Sequence, residues 1–492
     1  MSTFEKLIAL HKEDLARSIF PLDTNHYLLE SGADELNDYV YNKIGPSETA
    51  DASFITQQRV YASKHGLNLR RTQKLDPVSE FFIYDIVYRH RNNFRPDFSV
   101  SRRNFGYRFL NGSPIPASAS YKDYKDAISE AAFKYKFFLK FDIANYFNSV
   151  YHHDLASWFA EYAESDNDRE IFGKFFRQIN AGRSVDCLTQ GILPTKILGS
   201  HFLKFVDNSP KIKSPILLRF MDDFYLFSND QRTLFDDFII IQKLLGEKCL
   251  SVNPSKTEFG ESIPAFVDTS VDSVRLSLLK RKRIIYRSSG GLEEDEDVDV
   301  VLSEAEVSYL LSLLDSKTMD EEDAELILAL MRESGNDVLK HLSHILARFP
   351  YLSRNVALFC DHISDESALA DLLVEFLDAQ DIIAEYQLFW IARIVEKKLL
   401  GNPKAADLVT RLYEHRSATK ISRAKILEIP SKRYGLSELR AEHLRSGSSD
   451  WLSWSSAVGS RCEVKSSRNH LLGYFANGSQ INKLIAAIIQ KK

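Results

Sequence analysis

The chain has 492 residues, 44% of them hydrophobic and 27% charged, with a formal net charge of −5. That length allows two or three domains with ample core, and the composition is that of an ordinary soluble globular protein, which excludes disordered and fibrous classes. Four widely spaced cysteines, Cys187, Cys249, Cys360 and Cys462, form no CxxC or Cys/His pattern, so neither a zinc site nor a disulfide framework is indicated and a reducing cytoplasm fits.

The opening MSTFEKLIALHKEDLARS carries a charge every few residues and lacks the apolar core of a signal peptide. No uncharged apolar run reaches the ~18 residues of a membrane span, so no membrane partner is expected. Residues 4–45 read as helical, with Leu7, Leu10, Leu15 and Ile19 as apolar points and Pro21 as the break. Residues 53–75 hold Arg59, Lys64, Arg70, Arg71 and Lys74, each either a phosphate contact or a solvated surface charge. Pro77 to Arg89 reads as a helix burying Phe81, Phe82, Ile86 and Val87, and helices resume over 121–134 and 152–180. Between these, Phe137–Phe141 is a short apolar run closed by Asp142. Asp142 reads either as the cap of the next helix or as a carboxylate presented at a strand's edge. Capping alone leaves the following Tyr146 and Phe147 unexplained.

Further on, Leu217–Met221 and Phe224–Phe227 read as two strands, which puts Asp222 and Asp223 in the tight turn of a hairpin. Two like charges beside buried apolar surface are costly unless a cation offsets them. The pair is therefore an acidic turn or, with Asp142 as third carboxylate, a metal-binding one. A helix over 234–249 follows. Ser288–Val300, SSGGLEEDEDVDV, cannot bury a core and reads as a linker or exposed loop. From residue 302 apolar residues recur at three- and four-residue steps through six segments of about 14 residues, the pattern of an α-solenoid. Trp451 and Trp454 read as core, and INKLIAAIIQKK as a closing amphipathic helix. Charge divides along the same lines. Residues 1–290 carry 39 Lys+Arg against 36 Asp+Glu, residues 291–400 carry 8 against 25, and residues 401–492 carry 16 against 7. The first part is too weakly basic for a surface that grips long duplexes.

Six segments in order carry a family resemblance. FDIANYF (141–147) resembles motif A of reverse transcriptases, QGILPT (190–195) motif B, FMDD (220–223) motif C, and LSVNPSKT (250–257) motif D; NFGYRF (104–109) and SVYHH (149–153) resemble family stretches flanking motif A. The resemblance spans roughly residues 50 to 270. It implies nucleotidyl transfer from dNTPs with two Mg²⁺ ions, or Mn²⁺ in their place, stabilising the attacking and leaving oxygens. Asp142 and Asp222 would bridge the ions, Asp223 would complete the site, and the Ile143 carbonyl would add a ligand. Phe147 would pack against the deoxyribose, and Gln190 and Gly191 would lie over the incoming nucleotide. Arg70, Arg71 and Lys74 would reach the triphosphate. Lys256 would protonate pyrophosphate, though it reads equally as a solvated loop lysine.

The expected fold is α+β: a fingers and palm unit over 1–290 with an antiparallel sheet covered by helices on one side, an acidic linker over 291–301, and an α-helical HEAT-like domain over 302–492. Motif B departs from the usual QGxPxGxxxS ending, and maturase, endonuclease, RNase H and HEPN signatures are absent. A palm followed by a long helical domain resembles the abortive-infection (Abi) polymerases of bacterial antiphage defence, closest to those carried in P2-like prophages. That resemblance implies a bacterial cytoplasmic protein, untemplated and protein-primed synthesis of single-stranded DNA attached covalently to the protein, and a homo-oligomer, trimeric or hexameric. Tyr27, Tyr39 and Tyr41, read as lying on loop segments, are the candidate priming residues. An RNA-templated reverse transcriptase and a catalytically inactive helical scaffold are the alternatives.

Overall fold

A computed structural model describes residues 3–46, 52–96, 99–183, 185–262, 278, 302–314, 319–432 and 436–491. The acidic stretch 291–301 lies outside them. Helices α1 (Thr3–Arg17) and α2 (Asp23–Asp38) are separated at the expected break. α2 runs on into a π-helical turn, Tyr39–Ile44, because Leu28, Leu29, Leu36, Val40 and Ile44 keep supplying buried points at helical spacing. Strands β1 (Gln58–Lys64) and β2 (Asn68–Lys74) form an antiparallel hairpin. Helix α3 (Pro77–Arg89) starts where Asp76 accepts from the amides of Val78 and Ser79, with proline at its first position. It is buried on every side rather than one, which suits a run with few charges set inside the core.

The central sheet is built from β3 (Arg102–Asn104), β6 (Phe137–Asp142), β7 (Ile216–Phe220), β8 (Asp223–Ser228) and β9 (Glu258–Glu261), in the order β3-β7-β8-β6-β9. A small separate hairpin pairs β4 (Phe109–Leu110) with β5 (Ser113–Pro114). Two expectations are corrected here. The sheet is mixed, since β3 runs parallel to β7. It is also covered on both faces. Leu139, Phe141, Leu217, Phe224 and Leu226 enter the main core, with α10 (Gln231–Gly246) contributing Phe238 against Phe141. On the opposite face, α4 (Ala117–Lys134) places Tyr124, Ala127 and Ala131 against Leu218 and Phe227 in a second, smaller core. The strands alternate apolar residues to both faces, which requires cover on both. Helices α5 (Tyr146–Ser149), α6 (His152–Ala160), α7 (Asp166–Ile179), α8 (Leu193–Phe202) and α9 (Lys204–Asp207) complete this part.

Between 302 and 491 every regular element among the described residues is helical, from α11 (Glu304–Leu314) to the last helix, Gln480–Gln490. These helices pack directly on the first part. Phe20 meets the ring of Phe389 edge-on at 5.2 Å, and Gly32 in α2 faces Ile488 so closely that a Cβ would come within 2.5 Å of it. Buried hydrophobic residues from Leu7 to Ile489 form one connected cluster. The interlock includes a fully buried lysine, Lys425, whose ammonium lies 2.6 Å from Glu428, 2.7 Å from Glu396 and 3.4 Å from Asp23. Glu428 in turn accepts from the amide and hydroxyl of Thr24 at 2.7 and 2.8 Å. Among the described residues no helix is long and apolar enough to cross a membrane.

Candidate active site

β6 and β8 pair in a register that sets Asp142 directly opposite Asp223. The β7–β8 hairpin closes at Phe220 and Asp223, leaving Met221 and Asp222 as its two-residue loop. Asp223 is thus the first residue of β8 and not part of the loop, and the pleat turns it to the same face as Asp142. Met221 sits at φ +58°, a conformation uncommon for a non-glycine residue. Beneath it, the fully buried guanidinium of Arg219 donates to the Met221 carbonyl at 2.9 Å and to the Ser200 carbonyl at 2.9 Å, while Asp207 accepts from its Nε at 2.8 Å. Nothing in the motif reading singled out Arg219; a charge inside the apolar run ILLRF is the signal that could have.

Asp142 caps no helix. The N-terminal flank of α5 is Asn145, with no side-chain cap. The Asp142 carboxylate is 6% exposed, one oxygen taking the ammonium of Lys256 at 2.5 Å and the other, Oδ1, buried with no hydrogen-bond partner. Lys256 is delivered by a short 3₁₀ turn, Pro254–Lys256, in which the Ser255 amide donates to the Asn253 side chain at 3.1 Å. Motif D is anchored beside motif A by hydrogen bonds from the Ala144 amide to Ser251 and from the Asn253 amide to Asp142. Those bonds leave the Ile143 carbonyl outside the pairing.

The electrostatics of the trio are unfavourable in a specific way. Burial, then the charge of Asp223 and that of Asp142, pushes the Asp222 carboxyl up to about 6. Burial and Asp142 raise Asp223 as well, against the pull of Lys256, Lys140 and Lys125. The hydrogen bond to Asp142 raises Lys256. One lysine does not neutralise three clustered carboxylates. A group of hard oxygen donors, one of them buried and unpartnered, fits divalent cations such as Mg²⁺ or Mn²⁺. The carboxylate oxygens of Asp23, Glu396 and Glu428 lie close enough together to hold an ion, whereas those of Asp142, Asp222 and Asp223 do not close into such a group as they stand; the Lys425 ammonium already lies among the former.

Phe147 lies half-buried in α5, its ring edge against Gly199 of α8, where a Cβ would come 3.3 Å from it. Its carbonyl accepts from Leu188 at 2.7 Å. Gln190 and Gly191 lead into α8. Thr72 of β2 clamps Gln190, accepting from its amide at 2.7 Å and donating to its carbonyl at 3.3 Å. Of the three basic candidates on β2, Arg71 reaches α5, donating to Asn148 at 3.4 Å. Arg70, one residue earlier on the strand, points to the opposite face, where its charge bears on Tyr386 of the C-terminal helices. Lys74 is a correction: it is 5% exposed and paired with Glu80 at 2.9 Å, so it is a core ion pair rather than a phosphate contact. The tyrosines are corrected as well, since all three stand on helix rather than loop. Tyr39 is 3% exposed, and burial, then Asp76, pushes its phenol up to about 12. Tyr41 donates to Asp85 at 2.5 Å and accepts from Arg89 at 2.6 Å. Tyr27 is half-buried in α2 beneath the Arg461 guanidinium, 5.2 Å from its ring.

Residues 99–308 match the family model described as reverse transcriptase (RNA-dependent DNA polymerase). Three solved structures are similar in outline. Apo telomerase from Candida tropicalis is 13% identical at a TM-score of 0.33, covering 78% of this chain and 73% of that one. Telomerase from Candida albicans with a TWJ fragment of telomeric RNA is 14% identical at 0.30, covering 73% and 66%. The corresponding RNA complex from Candida tropicalis is 12% identical at 0.33, covering 82% and 67%. No curated protein sequence matches the chain. Residues 99–308, less than half of the chain, carry that match, and it supports nucleotidyl transfer as the activity.

Proposed function

We propose that the reverse transcriptase domain of this chain builds DNA from dNTPs at Asp142, Asp222 and Asp223, with a hydroxyl of the protein itself as primer and no template. The observation that carries the catalytic part is the register that opposes Asp142 and Asp223 with Asp222 one residue away, together with the unpartnered Asp142 oxygen. These carboxylates, with the Ile143 carbonyl, would hold two divalent ions, which when bound stabilise charge on the attacking and leaving oxygens of the in-line displacement. Gln190 and Gly191 orient the nucleotide, Arg71 meets its phosphates, and Phe147 excludes a 2′-hydroxyl. Lys256, already at the carboxylates, delivers a proton to the departing pyrophosphate.

The absence of a template and the protein primer rest on the resemblance to Abi polymerases and on the weak basicity of residues 1–290. They are also supported by the C-terminal helices seated on the fingers hairpin, where Glu385 accepts from the Tyr61 amide at 3.0 Å and Glu321 meets His65 at 2.8 Å. A priming tyrosine has to approach the metals and be deprotonated there. Of the three candidates this leaves Tyr27, since burial holds Tyr39 and Asp85 and Arg89 hold Tyr41. The same reading places the protein in the bacterial cytoplasm as a trimer or hexamer acting in abortive infection. RNA-templated synthesis is the competing reading, favoured by the description of the matching family; an inactive helical scaffold is opposed by the retained carboxylates.

One experiment separates the three. Purified protein is incubated with labelled dNTPs and Mg²⁺, with and without an RNA template, then denatured and digested with nuclease. Label retained on the polypeptide without template supports the proposal. Template-dependent label that parts from the protein supports conventional reverse transcription, and no incorporation supports the scaffold.

A further inference from the structure

We infer that Asp14, on the first helix and far from motif B in sequence, is a positioning residue that sets the nucleotide-contacting loop Gln190–Gly191. This rests on the proposed role of that loop. α8 begins at Leu193 behind Ile192, which supplies no side-chain cap, so its first amides lack a local acceptor. The acceptor comes from elsewhere: Oδ2 of Asp14 takes the Leu193 amide at 2.5 Å. Asp14 is 4% exposed, and its negative charge meets the positive end of the α8 dipole. The same oxygen also accepts the hydroxyl of Tyr84 from α3.

The loop is thereby held at both ends. Thr72 grips Gln190 on one side of Gly191, and Asp14 grips Leu193 on the other. Between them Gly191 adopts φ +96°, and Ile19, just beyond α1, fills the space a side chain would need, since a Cβ on Gly191 would come within 2.5 Å of it. α1 is itself tied down at the same end, where Arg354 donates to the Ala16 carbonyl at 2.8 Å. Asp14 therefore transmits a fixed frame to the loop, without contact to nucleotide.

The test uses the full chain with three variants. Asp14→Leu removes the acceptor, Asp14→Asn keeps an oxygen acceptor, and Tyr84→Phe removes the hydroxyl but spares the α8 amide. Steady-state dNTP incorporation and amide hydrogen exchange over residues 189–195 are measured on each, with melting temperature as a control. The expectation for Asp14→Leu is a KM for dNTP about tenfold higher with a smaller change in kcat, and faster exchange at Leu193. Asp14→Asn restores most of the KM, and Tyr84→Phe keeps it near wild type whatever it does to melting. An unchanged KM in folded Asp14→Leu overturns the inference, as does an equal KM rise in Tyr84→Phe. If wild-type protein incorporates no nucleotide, the proposed function fails and the inference with it; wild-type incorporation with an indifferent Asp14→Leu sinks the inference alone.

Discussion

Replacing Asp222 with asparagine removes a charge and almost nothing else, and the structure assigns that charge two opposite consequences. In the protein without metal it is a burden. Its carboxyl is held at about 6 by burial and by the neighbouring Asp223, against a reference near ~3.9. At pH 7.5 the ionised form therefore costs about 3 kcal/mol of stability. Because the folded value lies above the unfolded one, this carboxyl's favourable contribution is complete below about pH 4 and is lost as pH rises through about 6. Asp222→Asn should accordingly melt higher than wild type at pH 7.5 in chelator, with the gap closing as pH is lowered through 6 towards 5. Under the proposed function the same charge is required in catalysis. Losing one metal-holding carboxylate removes transition-state stabilisation of about 4 kcal/mol, roughly a thousandfold in rate. The assays are thermal melting across pH, with and without Mg²⁺, and labelled dNTP incorporation. Mg²⁺ should stabilise wild type more than the variant. Near-wild-type incorporation by folded Asp222→Asn would end the two-metal reading, and a variant that melts lower at pH 7.5 in chelator would refute the electrostatic account.

Phe147→Ala should raise the ratio of rNTP to dNTP use, and an unchanged ratio removes Phe147 from the sugar pocket. Arg219→Met leaves Asp207 buried without its partner and the Met221 carbonyl without its donor; it should cost about 3–5 kcal/mol in denaturant unfolding, and a loss under about 1 kcal/mol would show that the pair is not needed. Exchanging residues 293–299 for a Gly/Ser linker of equal length should leave incorporation nearly unchanged, because that stretch is composed for solvation, whereas a large loss would mean that it positions the helical part or binds metal.

The sequence by itself determined where the carboxylates stand. A strand's apolar run stops at Asp142, and two apolar runs flank Asp222 and Asp223, so strand ends and a turn follow from local pattern alone. The break at Pro21 and the burial of Trp451 and Trp454 were legible for the same reason. Tertiary structure alone decided which charged and aromatic residues are free to act. Lys74 and Arg71 are alike in sequence, yet Lys74 is neutralised in the core by Glu80 and Arg71 reaches Asn148, just past motif A. Tyr39 and Tyr41 read as loop residues, yet the helix continues through them and α3 supplies the Asp85 and Arg89 that hold Tyr41. The second face of the sheet is covered by α4, a helix whose pattern does not say which face it takes. Asp14 shows the limit most plainly, because its partner, the Leu193 amide, belongs to a different element and is identified by no side chain. Periodicity is written in neighbouring residues, whereas the pairing of a buried charge depends on a partner that only the folded chain brings within reach.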